Sequence, residues 1–441
     1  MSDALPLPPH ANLAQYKKLA KEFHDVSKSP DGYAVLDWIS RRGETLARLR
    51  GVDLTREIRA ELRNAARRIE QHWRKSRTRG RSPRLSEAQF FLARAHGFAS
   101  WPKFRKHVED LGRANSSASR FEAAVEAIVG GDSATLARLL RENPELVRRR
   151  STREHRSTLL HYVSANGVED FRQRTPKNIV KIARMLLDAG ADVNAESEAY
   201  GGGSTTLGLV ATSVHPETAG VQIPLLELLL ERGAYIDKPG RQGSRHGAVG
   251  ACLANGRANA ARFLAARGGR VNFEEASGLG DLGLVKESFG GNGLRKPAVG
   301  PRELVSGFLY ACQYGRTEVV RFLLERGVGP GVRNREGQTG LHWAAYGPHV
   351  DIVKLLLKHG AQVDVREEHF KGTPLDWALY TWMLTKGAHE RKRSYAAIAL
   401  LVRAGARFDP GQRSDRAGQD AMLAEIRSDR RIVRALEGRR A

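Results

Sequence analysis

Two histidines occur in matched settings, His161 in Thr158-Leu159-Leu160-His161 and His342 in Thr339-Gly340-Leu341-His342. An imidazole can serve as acid, base or metal ligand near neutral pH. Neither has the second histidine four residues away, with a glutamate between, that a zinc-hydrolase helix needs. The run Gly278-Leu279-Gly280-Asp281-Leu282-Gly283 matches a dinucleotide-binding fingerprint by letter. That motif requires a buried strand before it, and Phe273-Glu274-Glu275-Ala276-Ser277 is not one. There is no Gly-rich loop ending in Lys-Ser/Thr, and no Ser or Cys nucleophile in a recognisable elbow. Cys252 and Cys312 form no disulfide framework and have no metal-ligand spacing. The expectation is a non-enzyme with no catalytic, cofactor or metal residues.

Charge is the next chemical signal. The 441 residues carry a net charge of +23. Direct counting assigns 55 of the 72 basic residues to Arg and 17 to Lys. Residues 41–113 hold 20 Lys/Arg against 8 Asp/Glu, a net of +12, so about half the excess lies in one stretch. Such a patch is the electrostatic footprint of nucleic-acid binding. The possible phosphate contacts are Arg74, Lys75, Arg77, Arg79, Arg81, Lys103, Arg105 and Lys106. A GC-rich coding bias would enrich Arg without any ligand.

The elements that position these residues follow from hydrophobic spacing. Residues 1–30 are polar with a cluster at Pro6, Pro8 and Pro9, and are expected to form a flexible arm. A basic helical region is expected over 31–113. Within it Leu54, Ile58, Leu62, Ala66, Ile69 and Trp73 form one apolar stripe on a charged helix. A basic linker follows over 74–84, and then a helix–turn–helix. Ser86 with Gln89 opens its first helix, Gly97 stops it, and Ser100 caps the second, which buries Phe104 and Val108. A serine-rich linker runs from Ala114 to Ser119. The longest apolar runs are too short to span a membrane, no signal peptide is apparent, and a cytoplasmic location is expected.

From about 120 to 410 one unit recurs. It is clearest as Gly337-Gln338-Thr339-Gly340-Leu341-His342-Trp343-Ala344-Ala345, followed by Ile352-Val353-Lys354-Leu355-Leu356-Leu357 and Gly360-Ala361. Gly360-Ala361 stands 33 residues after Gly327-Val328, a helical-repeat period. The chain thereby resembles the ankyrin-repeat family over about two thirds of its length. The resemblance implies an all-α solenoid of helix–turn–helix repeats with short β-hairpin turns, about seven to eight of them. A small helical N-terminal region precedes the repeats. Leu85–Leu111 is similar to a helical segment found before such repeats in bacterial proteins. The fifth copy, around Gly280-Asp281-Leu282-Gly283, is degenerate. Extra residues interrupt the second, third and eighth copies at Val168–Lys177, Ser213–Gln222 and Trp382–Arg393. A capping helix is expected within 411–441, carrying Met422, Ile426, Ile432 and Leu436.

In this family the repeat histidine hydrogen-bonds the turn of its own or the next repeat, which implies structural roles for His161 and His342. The positions after the small Ala-Ala pair face the groove, and here they hold Tyr314, Tyr346 and Tyr380. The preceding aromatic position holds Tyr162, Tyr310, Trp343 and Trp377, and could pack or be exposed. Tyrosine supplies contact area and a polar tip at modest entropic cost. The candidate protein-binding set is therefore Tyr314, Arg335, Glu336, Gln338, Trp343, Tyr346, His369, Phe370, Trp377 and Tyr380. The expected function is a non-catalytic scaffold binding a protein partner in a bacterial-type cytosol. The alternative is a nucleic-acid-associated regulator using 41–113. No membrane partner and no small-molecule substrate is implied.

Overall fold

The computed structural model describes residues 4–8, 11–49, 51–76, 81–113, 115–237, 247–290, 296, 299–385, 387–409 and 416–437. They divide into two units, Met1–Ala251 and Cys252–Ala441. Helices dominate both, and among the described residues the strands are one short antiparallel pair, β1 (Glu196–Ser197) with β2 (Ser204–Thr205).

The first unit opens with α1 (Leu13–Val26), α2 (Ala34–Leu49), α3 (Arg56–Ser76), α4 (Leu85–Ala95) and α5 (Trp101–Leu111). Residues 13–26 were expected to belong to a flexible arm and instead form a packed helix. Tyr16, Ala20 and Phe23 recur at helical spacing and are buried. Phe23 stacks on Phe91 with ring centroids 4.1 Å apart, and Trp73 meets both rings edge-on. The basic linker expected from residue 74 is also corrected, since α3 continues to Ser76. Glu87, not Gln89, closes the start of α4, its carboxylate accepting the Arg84 amide at 2.9 Å. Gly97 and Ser100 act as expected, with Ser100 Oγ accepting from the Lys103 amide.

Repeat pairs follow in this unit: α6 (Ser117–Gly130) with α7 (Ser133–Glu142), the 3-10 turn Leu159–Ser164 with α8 (Ile179–Asp188), and α9 (Thr206–Thr212) with α11 (Gln222–Glu231). The insertion after α9 coils into α10 (Val214–Thr218). Next come α12 (Ala248–Ala254), at the boundary between the units, and α13 (Ala258–Ala266).

The second unit continues with α14 (Phe273–Leu279) and α15 (Leu282–Glu287), α16 (Pro301–Gln313) and α17 (Thr317–Glu325), α18 (Gly340–Tyr346) and α19 (Val350–Lys358), and α20 (Pro374–Leu384) and α21 (Ala388–Arg403). One continuous apolar core runs through these pairs into the C-terminal helices. Each pair alone exposes an apolar face, so burial comes from stacking on a neighbour. Of the glycines that match a nucleotide fingerprint by letter, Gly280 forms the turn between α14 and α15 at φ 88°, while Gly278 lies within α14 and Gly283 within α15. The expected single capping helix is two, α22 (Arg416–Ser428) and α23 (Arg430–Leu436), because Asp429 breaks the run and caps the second through the Arg431 amide.

Candidate functional site

The inner segments that begin at Thr158, Thr339 and Thr373 are each started by a reciprocal side-chain cap, which orients the residues downstream. In α18 the Thr339 amide donates to His342 Nδ1 at 3.1 Å, so the imidazole proton lies on Nε2. Nε2 then donates to the Gly372 carbonyl, 3.2 Å away in the next repeat's turn. His161 repeats the pattern with the Thr158 amide at 3.1 Å and the Ser204 carbonyl at 3.2 Å. Burial pushes the His161 pKa down to about 4 and lowers that of His342, so both rings are neutral near pH 7. Both nitrogens are engaged, which leaves neither ring free for proton transfer. In α20, Asp376 takes the histidine's place and accepts from the Thr373 amide at 2.8 Å.

The caps bring Trp343, Tyr346 and Trp377 together. Trp343 meets Trp377 edge-on at 5.1 Å, Tyr346 meets Trp377 at 5.9 Å, and Trp343 meets Tyr346 at 6.2 Å. Three edge-to-face rings stiffen one another. The tryptophans are half-buried, whereas Tyr346 is 40% and Tyr380 48% exposed. The tyrosine ladder is uneven. Tyr314 is half-buried, and its hydroxyl donates to the Leu253 carbonyl, so its polar tip is already committed. Burial correspondingly raises its pKa. At the preceding position Tyr162 is wholly buried.

The hairpin tips differ in the same way. Buried Glu367 accepts from the amides of His369 and Phe370 at 2.7 Å and of Gly372 at 3.0 Å. Burial alone would raise its pKa, but these N–H groups hold it below the usual range. The tip so formed presents Phe370 at 81% exposure, with His369 edge-on against it at 4.4 Å. Arg335 and Glu336 are exposed at the preceding hairpin. Gln338 turns inward, its Oε1 accepting from Asn334 Nδ2 at 2.8 Å.

Of the N-terminal basic candidates, Arg77 and Arg79 lie outside the described residues. Arg74 pairs with Glu70 and donates to the Gly32 carbonyl at 2.7 Å. Lys75, Arg81, Lys103, Arg105 and Lys106 are exposed, and Arg105 faces Glu109 at 3.6 Å. The helix–turn–helix is not free-standing. Its Gly97 carbonyl accepts the Glu154 amide at 3.0 Å, and Arg94 pairs with the Glu154 side chain.

Sequence reasoning missed the residues that secure this docking. Arg153 reaches Glu122 at 2.6 Å and Glu169 at 2.9 Å, while Arg172 reaches Glu122 at 2.6 Å and Glu126 at 2.8 Å. Arg172 belongs to the insertion Val168–Lys177, which is thus partly core rather than a surface loop. Burial alone would raise the Glu122 pKa, but the two guanidiniums hold it at about 2. Also missed were polar keys set against interhelix glycines. His349 Nε2 meets the Gln313 carbonyl at 2.8 Å, beside Gly315, where an added Cβ would lie 2.7 Å from the imidazole. Arg316 Nε meets the Gly278 carbonyl at 2.8 Å, beside Gly280.

Stacked helix pairs with short turns define a repeat protein. Residues 308–412 match the family described as ankyrin repeats (3 copies), and that stretch carries ankyrin repeats. Palmitoyltransferase Hip14 of Drosophila melanogaster is 38% identical over 103 residues, covering 23% of this chain and 14% of that protein. Palmitoyltransferase ZDHHC17 of Homo sapiens is 41% identical over 68 residues, 15% of this chain and 11% of that protein. The putative ankyrin repeat protein FPV014 of Fowlpox virus is 38% identical over 69 residues, 16% of each. The chain thus spans a small part of these relatives. The crystal structure of the human ASB11 ankyrin repeat domain aligns over 65% of this chain and 99% of its own, with 22% identity and a TM-score of 0.32. No helix among the described residues is long and apolar enough to cross a membrane.

Proposed function

We propose that this chain is a non-catalytic adaptor that binds a protein partner on the aromatic face of its C-terminal repeats. The observation that carries the reading is the Trp343–Tyr346–Trp377 cluster beside exposed Tyr380. An exposed tyrosine braced by half-buried tryptophans, as Tyr346 is, suits an interface hot spot, because little side-chain entropy is left to lose. Phe370, Arg335 and Glu336 at the hairpin tips would extend the contact. Tyr314 and Gln338 would contribute shape more than hydrogen bonds, since their polar groups are engaged. The proposed location is the cytoplasm. The test is capture of partners from host lysate by the parent chain and by Tyr346→Ala/Tyr380→Ala. A folded double variant that captures the same proteins as the parent overturns the reading.

A second reading draws on exposed Lys75, Lys103, Arg105 and Lys106, which would lie on nucleic-acid phosphates. Binding of the full chain to duplex DNA should then fall steeply with salt and fall further on Lys103→Ala/Arg105→Ala. No binding at low salt removes it.

A further inference from the structure

The first unit contains a cavity of about 450 Å³ between α5, the start of α6 and the hairpin that follows α7. Its size falls within the range of small-ligand pockets. Lys106, Arg149, Arg150 and Arg156 line it. Two carboxylates line it as well, but they do not cancel these cations. Glu122 is already neutralised by Arg153 and Arg172, each at 2.6 Å, and Asp110 lies 3.8 Å from Arg113. Arg150 and Arg156 are held in place by backbone carbonyls, Arg150 by that of Arg156 at 3.0 Å and Arg156 by that of Ser151 at 3.2 Å. Lys106 and Arg149 form no ion pair among the described residues.

Two further groups border the same space. The 14-residue helix α6 begins here, and the Ser117 and Ala118 amides at its head have no intrahelical acceptor. His107 is 2% exposed and lines the cavity. Its Nδ1 meets Thr152 Oγ1 at 2.8 Å, but its Nε2 has no hydrogen-bond partner, the nearest charge being Glu122 at 3.9 Å. Phe121 supplies an apolar wall.

We propose that this cavity binds a small phosphate monoester, with the dianionic phosphate between Lys106, Arg149 and the head of α6, and the organic group against Phe121. The match rests on donor number: guanidinium forks, an ammonium and free amides suit three terminal oxygens carrying two charges. A phosphodiester offers one negative charge where a monoester offers two. The site is separate from the aromatic face of the C-terminal repeats, and its test does not depend on that face.

The test is calorimetric titration of the full chain at low ionic strength with adenosine 5′-monophosphate, inorganic phosphate and adenosine. The monoester should bind with a Kd of about 10 µM to 1 mM, tighter than inorganic phosphate, while adenosine should give no heat. Lys106→Ser/Arg149→Ser should weaken it at least about tenfold through loss of two charged contacts. Lys181→Ala/Arg184→Ala removes the same charge from the exposed face of α8, away from the cavity, and should leave binding unchanged. Equal weakening by both double variants would reveal general attraction to a basic chain and overturn the proposal. So would monoester binding no tighter than that of inorganic phosphate, or no binding below about 10 mM.

Discussion

The Arg153 guanidinium and the Glu169 carboxylate meet at 2.9 Å with 2% and 1% of their side chains exposed. One end of this pair comes from the hairpin after the first repeat, and the other from the insertion of the second. Glu122 on α6 completes the bridge, and Arg153 also lies over the Phe98 ring, 5.4 Å from its centroid. The N-terminal helices and the first two repeats are therefore joined by charge as well as by apolar contact.

Removing one partner should be costly, because the other charge stays buried. Arg153→Met leaves Glu169 with Arg172 at 3.2 Å and His155 at 3.5 Å, and Glu122 with Arg172 alone among the guanidiniums. The expected loss is about 3–5 kcal/mol, read as a lower urea midpoint for the first unit. A loss below about 1 kcal/mol would show that the cluster contributes little.

The same cluster sets an acid limit. Folded Glu122 has its pKa held at about 2 against an ordinary 4.5. A depressed carboxylate contributes stability above pH 4.5 and loses it as pH falls toward 2. Buried His107 is lowered from 6.5 to about 4, and His96 from 6.5 to about 3, both chiefly by burial. Below pH 6.5 the unfolded chain takes up these protons and the folded chain does not, so stability falls in that window too. Each 1 kcal/mol lost lowers Tm by about 2–4 °C for a unit of this size, and a Tm at pH 5 roughly 5 °C or more below that at pH 7.5 is expected. A flat Tm from pH 7.5 to 4 would contradict these pKa directions.

His342→Ala should uncouple two repeats by leaving the Thr339 amide and the Gly372 carbonyl without their shared partner. Lost hydrogen bonds at buried groups cost about 1–3 kcal/mol, with a cavity term added. Hydrogen exchange at the Gly372 turn should quicken more than at the Ser204 turn. Uniform acceleration would indicate global destabilisation instead.

Tyr346→Ala/Tyr380→Ala should leave stability within about 1 kcal/mol of the parent, since the two residues are 40% and 48% exposed and lie outside the buried core. Partner affinity should fall by at least about thirtyfold, the hot-spot range. Trp377→Ala should lose both, because its ring touches His342, Trp343 and Tyr346. Comparable stability loss in the tyrosine variant would assign those side chains to the core.

Much of the fold was legible in short stretches. The Thr-x-x-His caps, the apolar spacing of α17 and α19 and the glycine turn between α14 and α15 act over a few residues, so their physics is written locally. The Tyr16-Ala20-Phe23 stripe of α1 was equally visible but was outweighed by the nearby prolines. At the aromatic face, residue types were readable and exposure was not. Tyr314 stands one position further along its repeat than Tyr346 and Tyr380 do, and its hydroxyl meets a carbonyl from α12, some sixty residues earlier.

Periodicity and caps depend on neighbours along the chain, so the repeat unit, its capping chemistry and the aromatic positions on the inner helices follow from residue order alone. Tertiary structure decided which charges are surface and which are core. Arg153 and Arg172 look like solvated cations in a basic chain until Glu122, Glu126 and Glu169 converge on them. Burying a guanidinium is favourable only where carboxylates meet it in space, and that meeting depends on which repeats stack. The cavity beside His107 likewise exists only because α5 docks at the head of α6.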